Sequence, residues 1–120
     1  MKTDNVVSEE SLTFAIRIVR LYQHLTREKH EYVLSKQMLK SGTSVGANIR
    51  EALRGQSRQD FAAKMNISLK EINETEYWLE LLYRTDYITD KEFRSIFADC
   101  KELVRILTSI VKTTREKTEL

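Results

Sequence analysis

Few side chains in this 120-residue chain could do acid–base, nucleophilic or metal chemistry, and they are scattered. Histidine occurs twice, at His24 and His30, and cysteine once, at Cys100. A di-metal site in a helical bundle needs inward glutamates together with Glu-x-x-His pairs on two helices. Neither histidine here lies three residues after a glutamate, so no metal is expected. Cys100 falls on the apolar stripe of its helix, where a thiol serves as a small hydrophobe and not as a nucleophile. Serine and threonine are numerous, but no base and orienting group accompany any of them. Gly42 and Gly46 are not followed by Gly-Lys-Ser/Thr, so they form no phosphate loop. No catalytic residue is assigned, no cofactor is implied, and an enzyme is not expected.

The remaining chemistry is electrostatic. At about 100° per residue, Lys36, Lys40, Arg50 and Arg54 fall within about 40° of one line along a helix, opposite its apolar residues. The row is roughly 27 Å long. Arg58 and Lys64 follow just past the next turn. Cations so spaced can track phosphates, because each neutralised phosphate releases condensed counterions. The same row is also what the solvated face of an amphipathic helix looks like, and it carries no interleaved aromatics. The candidate nucleic-acid contacts are therefore Lys36, Lys40, Arg50, Arg54, Arg58 and Lys64.

A second candidate surface lies on the following helix. Ile67, Glu71, Glu74, Trp78 and Leu81 form a mixed apolar and acidic flank beside that helix's main apolar seam. Tryptophan commonly anchors protein interfaces. This flank is read either as a contact between subunits or as a place where Trp78 completes the core and the glutamates are solvated.

Four helical segments must position these residues. The first spans about residues 8–27, with Ser8 as N-cap and Leu12, Ala15, Ile16, Val19 and Tyr22 on its inner face. The second spans about 31–54, with Leu34, Met38, Val45, Ile49 and Leu53 inward and Gly55 as a left-handed cap. The third spans about 57–85, opened by a Ser57/Asp60 capping box. Its seam is Phe61, Met65, Ser68, Ile72, Thr75, Leu79 and Leu82, a heptad pattern. The fourth spans about 89–113, opened by Thr89 and Glu92, with Phe93, Ile96, Phe97, Cys100, Val104, Leu107 and Val111 inward and a polar tail beyond. Short connections force antiparallel neighbours, so the expected fold is an all-α, up-down four-helix bundle in a single domain, residues 1–120.

Composition agrees. There is no proline and glycine occurs only three times, so long helices are favoured. Residues 35–70 hold seven Lys/Arg against two Asp/Glu, and residues 71–102 hold four against nine. The net charge of +2 thus hides a strong segregation, which either neutralises itself across helix seams or exposes a basic face to an anionic partner. The lone cysteine and the absence of a signal-like N-terminus or a long uncharged apolar run point to a cytoplasmic protein without a membrane span.

Two stretches carry a family resemblance. One is Ser44-Val45-Gly46-Ala47-Asn48-Ile49-Arg50-Glu51-Ala52. The other is Ser57-Arg58-Gln59-Asp60-Phe61, with Lys64, Glu71 and then Glu74-Thr75-Glu76-Tyr77-Trp78-Leu79-Glu80-Leu81-Leu82. Together, over about residues 12–112, the chain resembles the 23S rRNA intervening-sequence proteins. The resemblance implies a small bacterial bundle that assembles as a ring-like homopentamer, with no enzymatic activity and, in most members, no established role. It also implies kinship with the accessory subunit of diversity-generating retroelements, which binds nucleic acid through a basic surface. Relatives often carry proline where this chain has Gly46. A kink or irregular turn is therefore expected near Gly42–Gly46, with close helix approach as a further use of the glycines. The functional expectation is a homo-oligomer that binds RNA or DNA; the alternative is a scaffold or accessory subunit that docks a partner protein without touching nucleic acid.

Overall fold

The computed structural model describes residues 2–119, which form four α-helices: α1 (Lys2–Arg27), α2 (Leu34–Leu53), α3 (Arg58–Arg84) and α4 (Asp90–Glu119). Their termini follow from local hydrogen-bond chemistry. The buried Glu31 carboxylate accepts from the backbone N–H groups of Val33, Leu34 and Ser35, so it caps α2 from outside the helix. Ser57 Oγ accepts from Asp60 N at 3.0 Å, which closes one half of the expected box. Thr89 and Glu92 close both halves, at 3.1 and 2.8 Å. Two expected caps are corrected. Ser8 lies inside α1, which begins earlier, and its carbonyl accepts from Ser11 Oγ. No described glycine has a positive φ, and α2 ends through tight bonds from Arg54 N to Glu51 O and from Gly55 N to Ala52 O.

The antiparallel helices make a rod of 50 × 22 × 21 Å in which each packs only on its neighbours around the square, so α1 and α3 lie on one diagonal. The α1–α4 seam is much the loosest of the four. Arg17 bridges it, reaching Asp99 Oδ2 at 2.6 Å and Ser95 Oγ at 2.8 Å.

The tightest seams depend on small residues. A Cβ on Gly42 would lie 2.9 Å from both Cγ1 and Cγ2 of Ile18, so α1 presses directly onto the α2 backbone there. One turn on, a Cβ on Gly46 would lie 3.1 Å from Ser11 Oγ. The expected break near these glycines is absent: α2 is helical without interruption from Leu34 to Leu53. Close approach is what the glycines serve. On the other side of α2, Ser68 Oγ donates to Val45 O at 2.8 Å, and Ser41 and Thr75 share a 2.8 Å hydroxyl contact. Each hydroxyl also has a carbonyl of its own helix in reach, Glu71 O at 2.8 Å for Thr75 and Met38 O at 3.4 Å for Ser41. No buried side-chain polar atom among the described residues lacks a partner.

The α3 seam is as the sequence predicts, with Met65, Ser68, Ile72, Thr75, Leu79 and Leu82 buried. The inner face of α1 is not. Leu12, Ile16 and Val19 are 41%, 50% and 37% exposed, while Val7, Phe14, Ile18 and Leu25 fill the core. Helix α1 carries two apolar stripes roughly 150° apart, and hydropathy alone does not choose between them. The choice is steric, because Ile18 seats at Gly42.

Two outcomes follow. Gly42→Ala gains about 1 kcal/mol of helix propensity but drives a methyl into a stiff β-branched neighbour, so a net loss of about 1–3 kcal/mol is expected in chemical denaturation. Gly46→Ala meets one hydroxyl and should be near neutral. A stabilising Gly42→Ala would contradict the packing described. Second, burial, with Glu76 adding to it, pushes the Cys100 thiol up to about 12, and its Sγ–H points at Ile72 O. At neutral pH almost no thiolate forms, so labelling by a disulfide reagent should be slow in the native protein and fast in denaturant.

Candidate nucleic-acid and subunit interfaces

Because α2 is unbroken, its cations stay in one row and do not split into two patches. Lys36, Lys40, Arg50 and Arg54 are all exposed. The small residues on the opposite face hold α2 tightly against both neighbours, which turns this face outward. Lys36, Arg50 and Arg54 pair with no carboxylate among the described residues, so their charge is uncompensated. Lys40 lies near enough to Glu71 to lower that carboxyl's proton affinity. Arg58 is exposed at the start of α3, beside a cavity of about 360 Å³ at the bundle end that Phe61, Ser109, Ile110 and Lys117 also line. Lys64 differs from the others: it is half-buried and paired to Glu51 Oε2 at 3.0 Å across the α2–α3 seam.

The α3 flank is a mixture of packed and open groups. Ile67 is 38% exposed, Trp78 and Leu81 are half-buried, and Trp78 rests against the core. Its indole N–H donates to Glu74 Oε2 at 2.9 Å, and the exposed Tyr77 ring meets it edge-on at 5.1 Å between centroids. Burial, then the neighbouring Glu74, raises the Glu71 carboxyl above its ordinary pKa, and Lys40 opposes them. Two glutamates thus stand within this flank with no salt bridge among the described residues. Trp78 is shared: one side contributes to the core and the other remains available.

The sequence reading missed one surface. Leu12, Ile16 and Val19, expected inside, form an exposed apolar stripe on α1. The signal was present, since Val7, Phe14, Ile18 and Leu21 form an equally apolar stripe on the far side of the helix. Burying each such side chain is worth about 1.5–3 kcal/mol, so leaving three about half-exposed forgoes a few kcal/mol.

Among the described residues, no group of three or more His, Cys, Asp or Glu side chains could hold a metal ion. The two histidines are apart in role: His24 lines the α1–α4 groove, and His30 Nδ1 lies 3.2 Å from Tyr32 OH. No described helix is long and apolar enough to cross a membrane.

Residues 3–109 match the family description of the 23S rRNA-intervening sequence proteins. Among solved structures, the chain is similar to a protein of unknown function from the S23 ribosomal protein family of Bacteroides thetaiotaomicron. The two are 60% identical with a TM-score of 0.90, over 92% of this chain and 98% of that one. No functionally curated protein matches. A family match over nearly the whole length, with the same bundle in a close relative, means that the chain belongs to the 23S rRNA-intervening sequence protein family.

Proposed function

We propose that this chain is a non-enzymatic, homo-oligomeric binding protein whose outward α2 face takes the phosphate backbone of a nucleic acid. The observation that carries this reading is the single row of Lys36, Lys40 and Arg50 on one unbroken helix with Arg54 at its C-cap, all exposed and largely uncompensated. Arg58 extends it; Lys64, tied to Glu51, contributes less. Such a row contacts phosphates without reading bases, so it supplies affinity and not sequence specificity. The family's name refers to an rRNA sequence, which makes RNA the first probe. The oligomer is supported by the apolar and acidic flank of Ile67, Glu71, Glu74, Trp78 and Leu81, and a homopentamer is the size that the family resemblance implies.

A second reading, a scaffold that docks a partner protein, is favoured by one observation: the exposed Tyr77 ring set edge-on to the half-buried Trp78, since aromatics at a surface are common anchors of protein contacts.

The readings separate on salt. Four to five phosphate contacts per chain predict a log–log salt slope of about −3 to −4.5 for a short RNA or DNA probe. Reversing Arg50 and Arg54 to Glu should weaken binding sharply and flatten that slope by about two. Lys64→Glu should change it less. Binding that is absent at low salt, or insensitive to the Arg50/Arg54 reversal, would contradict the nucleic-acid reading and favour the scaffold.

A further inference from the structure

Two tyrosines of this chain stand open to solvent, Tyr32 at 59% and Tyr77 at 60% exposed. Tyr77 meets the Trp78 ring edge-on, and Asn73, Glu76 and Glu80 surround it. The setting of Tyr32 is different. It does not pack on the core, as Tyr22, Tyr83 and Tyr87 do, and its ring is stacked on no other among the described residues. Its ring neighbour His30 is tilted by 47° with the centroids 6.5 Å apart, so it does not lie flat on either face of the tyrosine.

The open ring is nevertheless held in place. On one side the chain passes through the left-handed conformation at His30, φ 54°, and His30 Nδ1 lies 3.2 Å from Tyr32 Oη. On the other, the buried Glu31 carboxylate takes the N–H groups of Val33, Leu34 and Ser35, while Glu31 N donates to Leu25 O at 2.9 Å. Glu31 is drawn inward through both its N–H and its carboxylate, and Tyr32 next to it is left outside.

Tyr32 stands at the head of the α2 cation row. Val33, 72% exposed, has helical dihedrals, φ −96° and ψ −59°, so it continues the α2 line backwards. At about 100° per residue it falls within about 20° of Lys40 and about 60° of Lys36. Lys36, four residues after Tyr32, is on the order of 6 Å away along the axis. From Arg27 to Lys40 the exposed charged side chains are Arg27, Lys29, Lys36 and Lys40 against Glu28 alone. Lys29 acts on Glu92 of α4, but the carboxylates at the start of that helix are engaged, Asp90 with Tyr83 and Arg94 and Glu92 with Thr89 N. The two open tyrosines therefore sit in opposite fields, Tyr77 among carboxylates and Tyr32 among cations.

A ligand that is both flat and anionic fits this pairing. Proteins that hold single strands set an aromatic ring for the base beside cations for the backbone, and every base offers a π face. Within a duplex those faces are covered by neighbouring bases, so only an unstacked base reaches a side chain. We infer that Tyr32 is a stacking platform for an unpaired base of the nucleic acid whose phosphates lie along α2, with Lys36 and Lys40 taking the phosphates next to that base. This deepens the reading of α2 given above and rests on it. Backbone contacts alone accept single and double strands, and Tyr32 turns the preference to single-stranded segments. Stacking tolerates any base, so sequence specificity is still not supplied. The helix itself carries no aromatic among its cations; the turn in front of it supplies the ring.

The test is fluorescence anisotropy with three labelled probes: a short single-stranded RNA, the same sequence as a duplex, and an abasic strand of equal length. Tyr32→Ala should weaken binding of the single strand about tenfold and leave its log–log salt slope unchanged, because no charge is lost. The same variant should alter binding of the duplex and of the abasic strand by no more than about twofold. Tyr32→Phe, which keeps the ring, should bind the single strand as wild type does. The side chain lies outside the core, so circular dichroism should show intact helices in both variants. Unchanged affinity of Tyr32→Ala for the single strand overturns the inference. So does an equal loss on the abasic strand, or a loss in Tyr32→Phe as large as in Tyr32→Ala, since the ring would then not be stacking on a base. In each of these cases the nucleic-acid reading stands if reversing Arg50 and Arg54 still weakens binding. Absence of binding to every probe at low salt would remove both.

Discussion

The contact that orders the rest of the molecule is Ile18 against Gly42. With no Cβ on Gly42, the β-branched Ile18 reaches the α2 backbone, and this fixes the rotation of α1 about its own axis. That rotation decides which of two nearly equivalent stripes is buried. Phe14 and Leu25 then go inward, Arg17 meets Asp99 on α4, and Leu12, Ile16 and Val19 are left in water. A larger residue at position 42 would remove the reason for this choice, so a backbone detail on one helix sets the surface chemistry of another.

The opposite seam works by a related means. Ser41, Ser68 and Thr75 are buried with every hydroxyl satisfied, two of them across the seam. Small side chains let α2 and α3 approach closely, and the hydroxyls fix register because a slip would leave them unpaired at a cost of about 1–3 kcal/mol each. Gripped on both sides by small residues and filled inside by Met38, Val45 and Ile49, α2 leaves its charged side chains only the outer face. Its lysines and arginines are turned out together, and the straight helix keeps them in line.

Much of this was legible in the sequence. The heptad seam of α3 and the Thr89/Glu92 box are local patterns, and both appear as expected. The cations were placed correctly on the outside of α2, since their angular agreement did not depend on where the helix began. What failed needed three-dimensional information. The α1 face was misread because both its stripes satisfy the helical period, and only Gly42 on another helix separates them. The break near Gly46 was expected from the conformational cost of glycine, but the cost is offset by packing that the glycines permit. Glu31 was assigned to the helix it caps, because a carboxylate reaching three successive N–H groups looks, in sequence, like one more helical glutamate.

The bundle is therefore organised to present surfaces. Its interior is filled by apolar side chains and satisfied hydroxyls, while unspent hydrophobicity and uncompensated charge lie on α1, α2 and α3. The most direct measurement of this account is hydroxyl-radical footprinting of the wild-type protein across a dilution series. Phe14 and Ile18 should be protected at every concentration, whereas Leu12, Ile16 and Val19 should be oxidised when the protein is dilute. Protection of Leu12 and Ile16 at the lowest concentration, with Ile18 oxidised, would show α1 turned the other way and would contradict the account at its root.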